Sequence, residues 1–175
     1  MFVLSNVNSA SKHAHANFVT PGGTTYTAGD MVSANTSGSA NLLTFNNICN
    51  RVGGSAILYN AVIITDEAAA ATPNFSLLIF TQNTFAYIND SPLTFTFTGA
   101  AISPEPIAVV NFTSRARLST GTSPYIYQGI FNNPLSITAG NTRDSIFGML
   151  ITTNGYTAAT AAQFRIEIQV LQMQQ

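Results

Sequence analysis

The chain is 175 residues long, 46% hydrophobic and only 7% charged, with six basic and seven acidic residues and a formal net charge of −1. An ordinary globular domain carries roughly 25% charged residues, so there is no positive field to attract nucleic acid and no basic patch to hold it. One cysteine, Cys49, excludes an internal disulfide scaffold and is expected to behave as a small buried hydrophobe.

A chain of this length is expected to form one domain and to bury roughly 70% of its unfolded surface. Its polar surface must be built from Thr, Ser, Asn and Gln. Such a neutral surface repels copies of itself weakly and favours association with other proteins. Met1-Phe-Val-Leu4 ends at Ser5, Asn6 and Asn8, too early for a signal peptide, and nothing approaches the roughly 18 apolar residues of a spanning helix. No membrane partner is expected.

Residues 1–23 hold no sustained period and close on Pro21-Gly22-Gly23, so they read as an extended N-terminal arm, with residues 24–175 as the domain. His13 and His15 share a face in an extended chain. No carboxylate or cysteine stands near them in sequence to complete a metal site, and no metal or other cofactor is expected. Thr24 to Val32 and Leu42 to Ile48 are short strand candidates around the polar loop 33–39. Gly53-Gly54 precedes a β-rich element, lacks the Walker lysine, and reads as a bulge or tight strand entry rather than a phosphate loop.

Ile57 to Ile64 is apolar and β-branched, as suits a strand buried on both faces. Asp66 and Glu67 follow as solvated loop charges, and Ala68–Ala71 has room for one helical turn before Pro73 stops it. Phe75 to Phe80 is a second deep strand. Leu93 to Phe97 alternates, and Ile107 to Phe112 forms another strand. Arg115 and Arg117 share one side of an extended chain, a pair suited to a partner's carboxylates. Tyr125 to Phe131 is a strand, Asn132-Asn133-Pro134 a turn, and Ile146 to Ile151 a core strand. In the last strand Phe164, Ile166, Ile168 and Val170 point inward, while Arg165 and Glu167 share the wet face and can pair.

About nine strands separated by Gly, Pro and Asn turns, with no useful helical period, predict an all-β fold. The expected architecture is an antiparallel two-sheet sandwich of jelly-roll type carrying the N-terminal arm. No catalytic residues are assigned. A nucleophilic triad needs a histidine beside Ser or Cys, and both histidines lie in the arm. Glycoside hydrolysis needs two carboxylates at a defined separation, and the acids sit in predicted loops except Glu167. An enzyme is therefore not expected.

Tyr26-Thr-Ala-Gly-Asp30-Met-Val32, then Leu43-Thr-Phe45, Gly53-Gly-Ser-Ala-Ile-Leu58, Thr65-Asp66 and Leu77-Leu-Ile-Phe-Thr81 form a pattern over residues 26–97. It resembles a family of small tailed-phage virion proteins, of the capsid decoration or cement type, in which Tyr-x-Ala-Gly-Asp-Val-Val opens a similar series. Ala56 stands where that family often has Gly, and Phe95–Phe97 replaces a more acidic segment. The resemblance implies a structural protein bound to the major capsid protein on the outer surface of the virion, commonly as a homotrimer, stabilising the shell. On that reading Phe2, Leu4 and Phe18 of the arm, with Arg115 and Arg117, are the expected partner-binding residues. The alternative on the same frame is a phage spike or fibre module that binds a receptor or glycan.

Overall fold

The computed structural model describes residues 10–34, 42–52, 54–68, 72–83, 89–92, 96–98, 101–103, 106–112, 115–117, 124–138, 144–158 and 161–173. Within them the strands are β1 (Ala10–Val19), β2 (Thr25–Tyr26), β3 (Met31–Val32), β4 (Leu43–Phe45), β5 (Ser55–Thr65), β6 (Phe75–Phe80) and β7 (Thr96–Thr98). The series continues with β8 (Ala101–Ser103), β9 (Ala108–Phe112), β10 (Arg115–Arg117), β11 (Tyr125–Thr138), β12 (Ile146–Thr152), β13 (Tyr156–Thr157) and β14 (Gln163–Gln172).

The pairing is nested. β1 pairs with β14, β2 with β13, β3 and β4 with β12, β5 with β11, β6 with β9, and β7 with β8, all antiparallel. The chain therefore runs out and returns along itself as one long hairpin whose tip is β7–β8. Lateral pairs β14–β5 and β12–β6 roll that hairpin into two sheets, β1-β14-β5-β11-β10 and β3-β12-β6-β9 with β4 beside β3 on β12. This is the jelly-roll sandwich expected from the strand rhythm.

One apolar core fills the space between the sheets. Leu58, Ala61, Ile63, Tyr127, Phe164, Ile166 and Ile168 face Val32, Phe45, Phe75, Leu77, Ile79, Phe112 and Leu150 across it. Phe75 is the hub: it meets Tyr127, Tyr156 and Phe164 edge-on at 5.2, 6.0 and 5.7 Å. Phe18 stacks on Phe164 at 5.0 Å and Tyr26 on Tyr156 at 4.9 Å, so aromatic contact runs unbroken through the core. Each such pair adds about 0.5–1.5 kcal/mol beyond burial. A second cluster, Met31, Leu42, Leu78, Phe80, Phe147 and Met149, lies on the opposite face of β6 and β12. That is why these two strands read as continuous apolar runs. Cys49 is buried in the main core, as its setting predicts.

Four expectations are corrected. Residues 10–19 are not a separate arm: their alternation is short, but Ala14 is buried and Ala16 and Phe18 pack on the core, so β1 is a full strand of the sandwich. β5 is buried on one face only, Leu58, Ala61 and Ile63 being buried while Ile57, Val62 and Ile64 are half-buried. Asn132-Asn133-Pro134 does not end a strand but lies inside β11, where the register against β5 shifts between Ile130 and Leu135. An irregular ladder tolerates proline's missing N–H. Glu67, expected in solvent, is 0% exposed. The expected helical turn at Ala68–Ala71 lies, from residue 69 on, outside the described residues.

Two turns set the entries to the sheets. Gly29, at φ 95, lets Asp30 N–H reach the Thr27 carbonyl at 3.2 Å while Asp30 Oδ2 accepts from the Thr27 hydroxyl at 2.9 Å. Gly54 N–H donates to the Arg51 carbonyl at 2.9 Å, and a Cβ on Gly54 would stand 2.9 Å from that same oxygen. The tight entry to β5 thus needs glycine.

Candidate interaction surface

The inward alternation of the five-stranded sheet fixes what its other face presents. With Phe164, Ile166, Ile168 and Val170 buried, β14 turns Arg165, Glu167 and Gln169 outward. β1 likewise presents His13, His15, Asn17 and Val19. β5 contributes Asn60, Val62 and Ile64, and β11 contributes Ile126, Gln128 and Ile130.

Register turns these into rows. Asn17 lies opposite Arg165, Arg165 opposite Ile64, and Ile64 opposite Ile126. His15, Glu167, Val62 and Gln128 form the next row, and His13, Gln169, Asn60 and Ile130 the one after. The face is therefore polar over β1 and β14 and largely apolar over β5 and β11, where Ile130 is 66% exposed. An apolar patch rimmed by polar groups on a regular sheet is the form that protein contact surfaces take.

The polar half is held in place by its own bonds. Arg165 Nε donates to Glu167 Oε1 at 2.7 Å, as the shared face predicts, and His13 Nδ1 lies 3.6 Å from Glu167 Oε2. Asn60 Nδ2 donates to Gln169 Oε1 at 3.0 Å, and the Ser11 and Tyr59 hydroxyls are 3.0 Å apart. The Arg165–Glu167 pair, half in solvent, is worth under about 1 kcal/mol. It leaves this half without net charge when the imidazoles are neutral.

At the end of the same sheet, Phe18, Val19, Ile64, Asp66, Pro124 and Arg165 line a cleft of about 570 Å³. Asp66 Oδ1 accepts from Gln163 N–H at 2.6 Å, which fixes one polar wall. Among the described residues no three His, Cys, Asp or Glu side chains gather at metal-binding range.

No family model and no curated protein matches this chain. Among solved structures it is similar to a chain of the cyanophage Pam1 capsid asymmetric unit. The TM-score is 0.41 at 13% sequence identity, over 98% of this chain and 91% of that one. So remote a likeness carries no argument about role.

Of the residues expected to bind a partner, Phe18 is half-buried, stacked on Phe164, and lines the cleft. Arg115 and Arg117 lie on edge strand β10, opposite Tyr127 and Tyr125 in register. Phe2 and Leu4 lie outside the described residues. Val62, Ile64, Ile126 and Ile130 were not singled out by sequence. The signal is present in Tyr125-Ile-Tyr-Gln-Gly-Ile-Phe131, but both alternating sets carry large apolar side chains, so pattern alone does not say which faces water.

Three further ionisable groups are shifted by their surroundings. The Tyr26 phenol is pushed up to about 12, by burial first, although its hydroxyl donates to Asn89 Oδ1 at 3.0 Å. The Tyr156 phenol is raised further, by burial and then by Tyr26, Glu67 and Tyr127. Asp90 is raised by lost solvation and then by the charge and hydrogen bond of Asp30.

Proposed function

We propose that this is a structural virion protein of a tailed phage, a decoration or cement protein that binds the major capsid protein on the outer shell. The observation that carries the reading is the outer face of the five-stranded sheet, with Val62, Ile64, Ile126 and Ile130 beside a polar half containing one ion pair. Its support is the resemblance over residues 26–97, together with a charge content of 7% that suits a surface built for contact.

The mechanism is burial without charge matching. Two neutral faces dock with little desolvation cost, since few ions are stripped of water, and the apolar half supplies the favourable term. A standard interface of roughly 800 Å² per partner suffices for specific association, and repetition over a symmetric lattice multiplies its effect.

Capsids assembled without this protein provide the test. Wild-type chain is expected to cosediment with them, and Ile130→Glu to lose at least ~10-fold in affinity, because a charge would be buried without a partner. Retained binding by Ile130→Glu at unchanged thermal stability counts against the face; no binding by wild type counts against the virion reading. The cleft lined by Phe18, Asp66 and Arg165 favours a second reading, a glycan-binding spike module. Glycan-array binding lost on Phe18→Ala would support it.

A further inference from the structure

β1 is the terminal strand of its sheet, and among the described residues it is paired on one side only. Its ladder with β14 is unbroken from Ala10 opposite Gln172 to Val19 opposite Gln163. Natural edges are blunted by proline, bulges or several charges. This strand has no proline, no register shift and one charged residue, Lys12. In an antiparallel ladder roughly half of a strand's N–H and C=O groups point away from the paired neighbour. β1 therefore offers an unbroken backbone row, bordered at Lys12–His15 by an open recess whose other wall is Asn46 and Asn47, next to a face whose β1 side chains are uncharged when the imidazoles are neutral.

We propose that β1 pairs antiparallel with β1 of a second copy across a two-fold axis, joining two five-stranded sheets into one. The same row in each copy satisfies the other, as an isologous contact requires. Opposite residues in a ladder share a face, so registers that use nearly the whole strand centre on Ala14 or on His15. Centred on Ala14, the pairing sets His13 against the partner's His15 and Lys12 against the partner's Ala16. Centred on His15, it sets that residue against the partner's His15 and Lys12 against the partner's Phe18. Neither register opposes lysine to lysine, and the near-central Ala14 and Ala16 are small enough to let the backbones approach. A foreign strand would lack this built-in complementarity.

Both registers bring imidazole against imidazole near the centre of the contact. On that face the other ionisable groups are Arg165 and Glu167 of β14 and Tyr59 of β5, while β11 contributes only Gln128, Ile126 and Ile130 among the described residues. Glu167, already bonded to Arg165, is one acid against two imidazoles per copy.

The contact does not rest on the virion reading and is tested without capsids. Sedimentation equilibrium of the full chain is expected to give a dimer at pH ~7.5. His13→Cys/His15→Cys, at exposed positions, is expected to form a covalent dimer on mild oxidation in either register, while Val19→Cys, exposed at the strand end, is not. A monomer or trimer at pH ~7.5, or equal cross-linking of the two variants, would each overturn the proposal.

Discussion

Asp90 sits at φ 59 with its N–H on the Met31 carbonyl at 2.9 Å, and its carboxyl is raised by lost solvation and by Asp30. A raised carboxyl holds its proton more tightly when folded, so ionising it costs stability and lowering the pH through its titration restores it. Asp90→Asn copies the protonated form, and asparagine also accepts this left-handed backbone. Asp90 is exposed, so water screens most of the repulsion, and the variant is expected to keep the fold and be no less stable than wild type at neutral pH, read from urea midpoints. A loss would mean that the carboxylate has a stabilising partner. The buried phenols act at the other end of the scale. The Tyr26 phenol is held near 12 in the folded chain against an ordinary value of 10.0, so the stability it protects is present below about pH 10 and is lost as pH climbs toward 12. Ultraviolet titration should show exposed tyrosines ionising first, and Tyr26 ionising only as the fold opens. A normal titration of all six tyrosines in the intact protein would contradict this.

At the scale of the element, β11 shows how one strand serves two surfaces. Tyr125, Tyr127 and Phe131 are buried while Ile126, Gln128 and Ile130 look outward, and Gly129 lies against the β9 side chains. A Cβ there would stand 2.5 Å from Val110 Cγ1 and 2.8 Å from Phe112 Cε1, both residues being fully buried. Gly129→Ala is therefore expected to cost ~1–3 kcal/mol, as overpacked core sites do, measured by thermal or urea unfolding. An unchanged midpoint would show that β9 and β11 can part without penalty.

At the scale of the molecule, the low charge content bears directly on the proposed capsid contact. With few ions on the docking face, salt has little to screen. Capsid binding is expected to change by less than ~3-fold between dilute buffer and ~1 M NaCl, whereas a contact run by ion pairs would weaken steeply over that range. Cosedimentation across a salt series decides it. The same nested topology links the ends of the chain to the middle: β1 and β5 both pair with β14, so almost every ladder joins residues distant in sequence. Such topologies fold slowly, because loop closure precedes the contacts that reward it.

Much of the fold was legible residue by residue. Phe164, Ile166, Ile168 and Val170 alternate with polar partners, and that period fixes both the strand and its buried face. The all-β class, the sandwich and the Arg165–Glu167 pair follow from such local rules. Three things did not, because each depends on what lies across from a residue rather than beside it. Ile57–Ile64 looks buried on both faces, yet only the register with β14 and β11 shows that Val62 and Ile64 look outward beside Ile126. Glu67 looks like a loop charge, yet the tyrosines around it come from distant parts of the chain. His13 and His15 look like arm residues, yet pairing with the last strand makes them part of a sheet, at its open edge. Local alternation and turn chemistry determined the strands by themselves. Only the tertiary pairing decided which faces and edges were left for a partner, because burial is a property of the neighbours that the fold brings together.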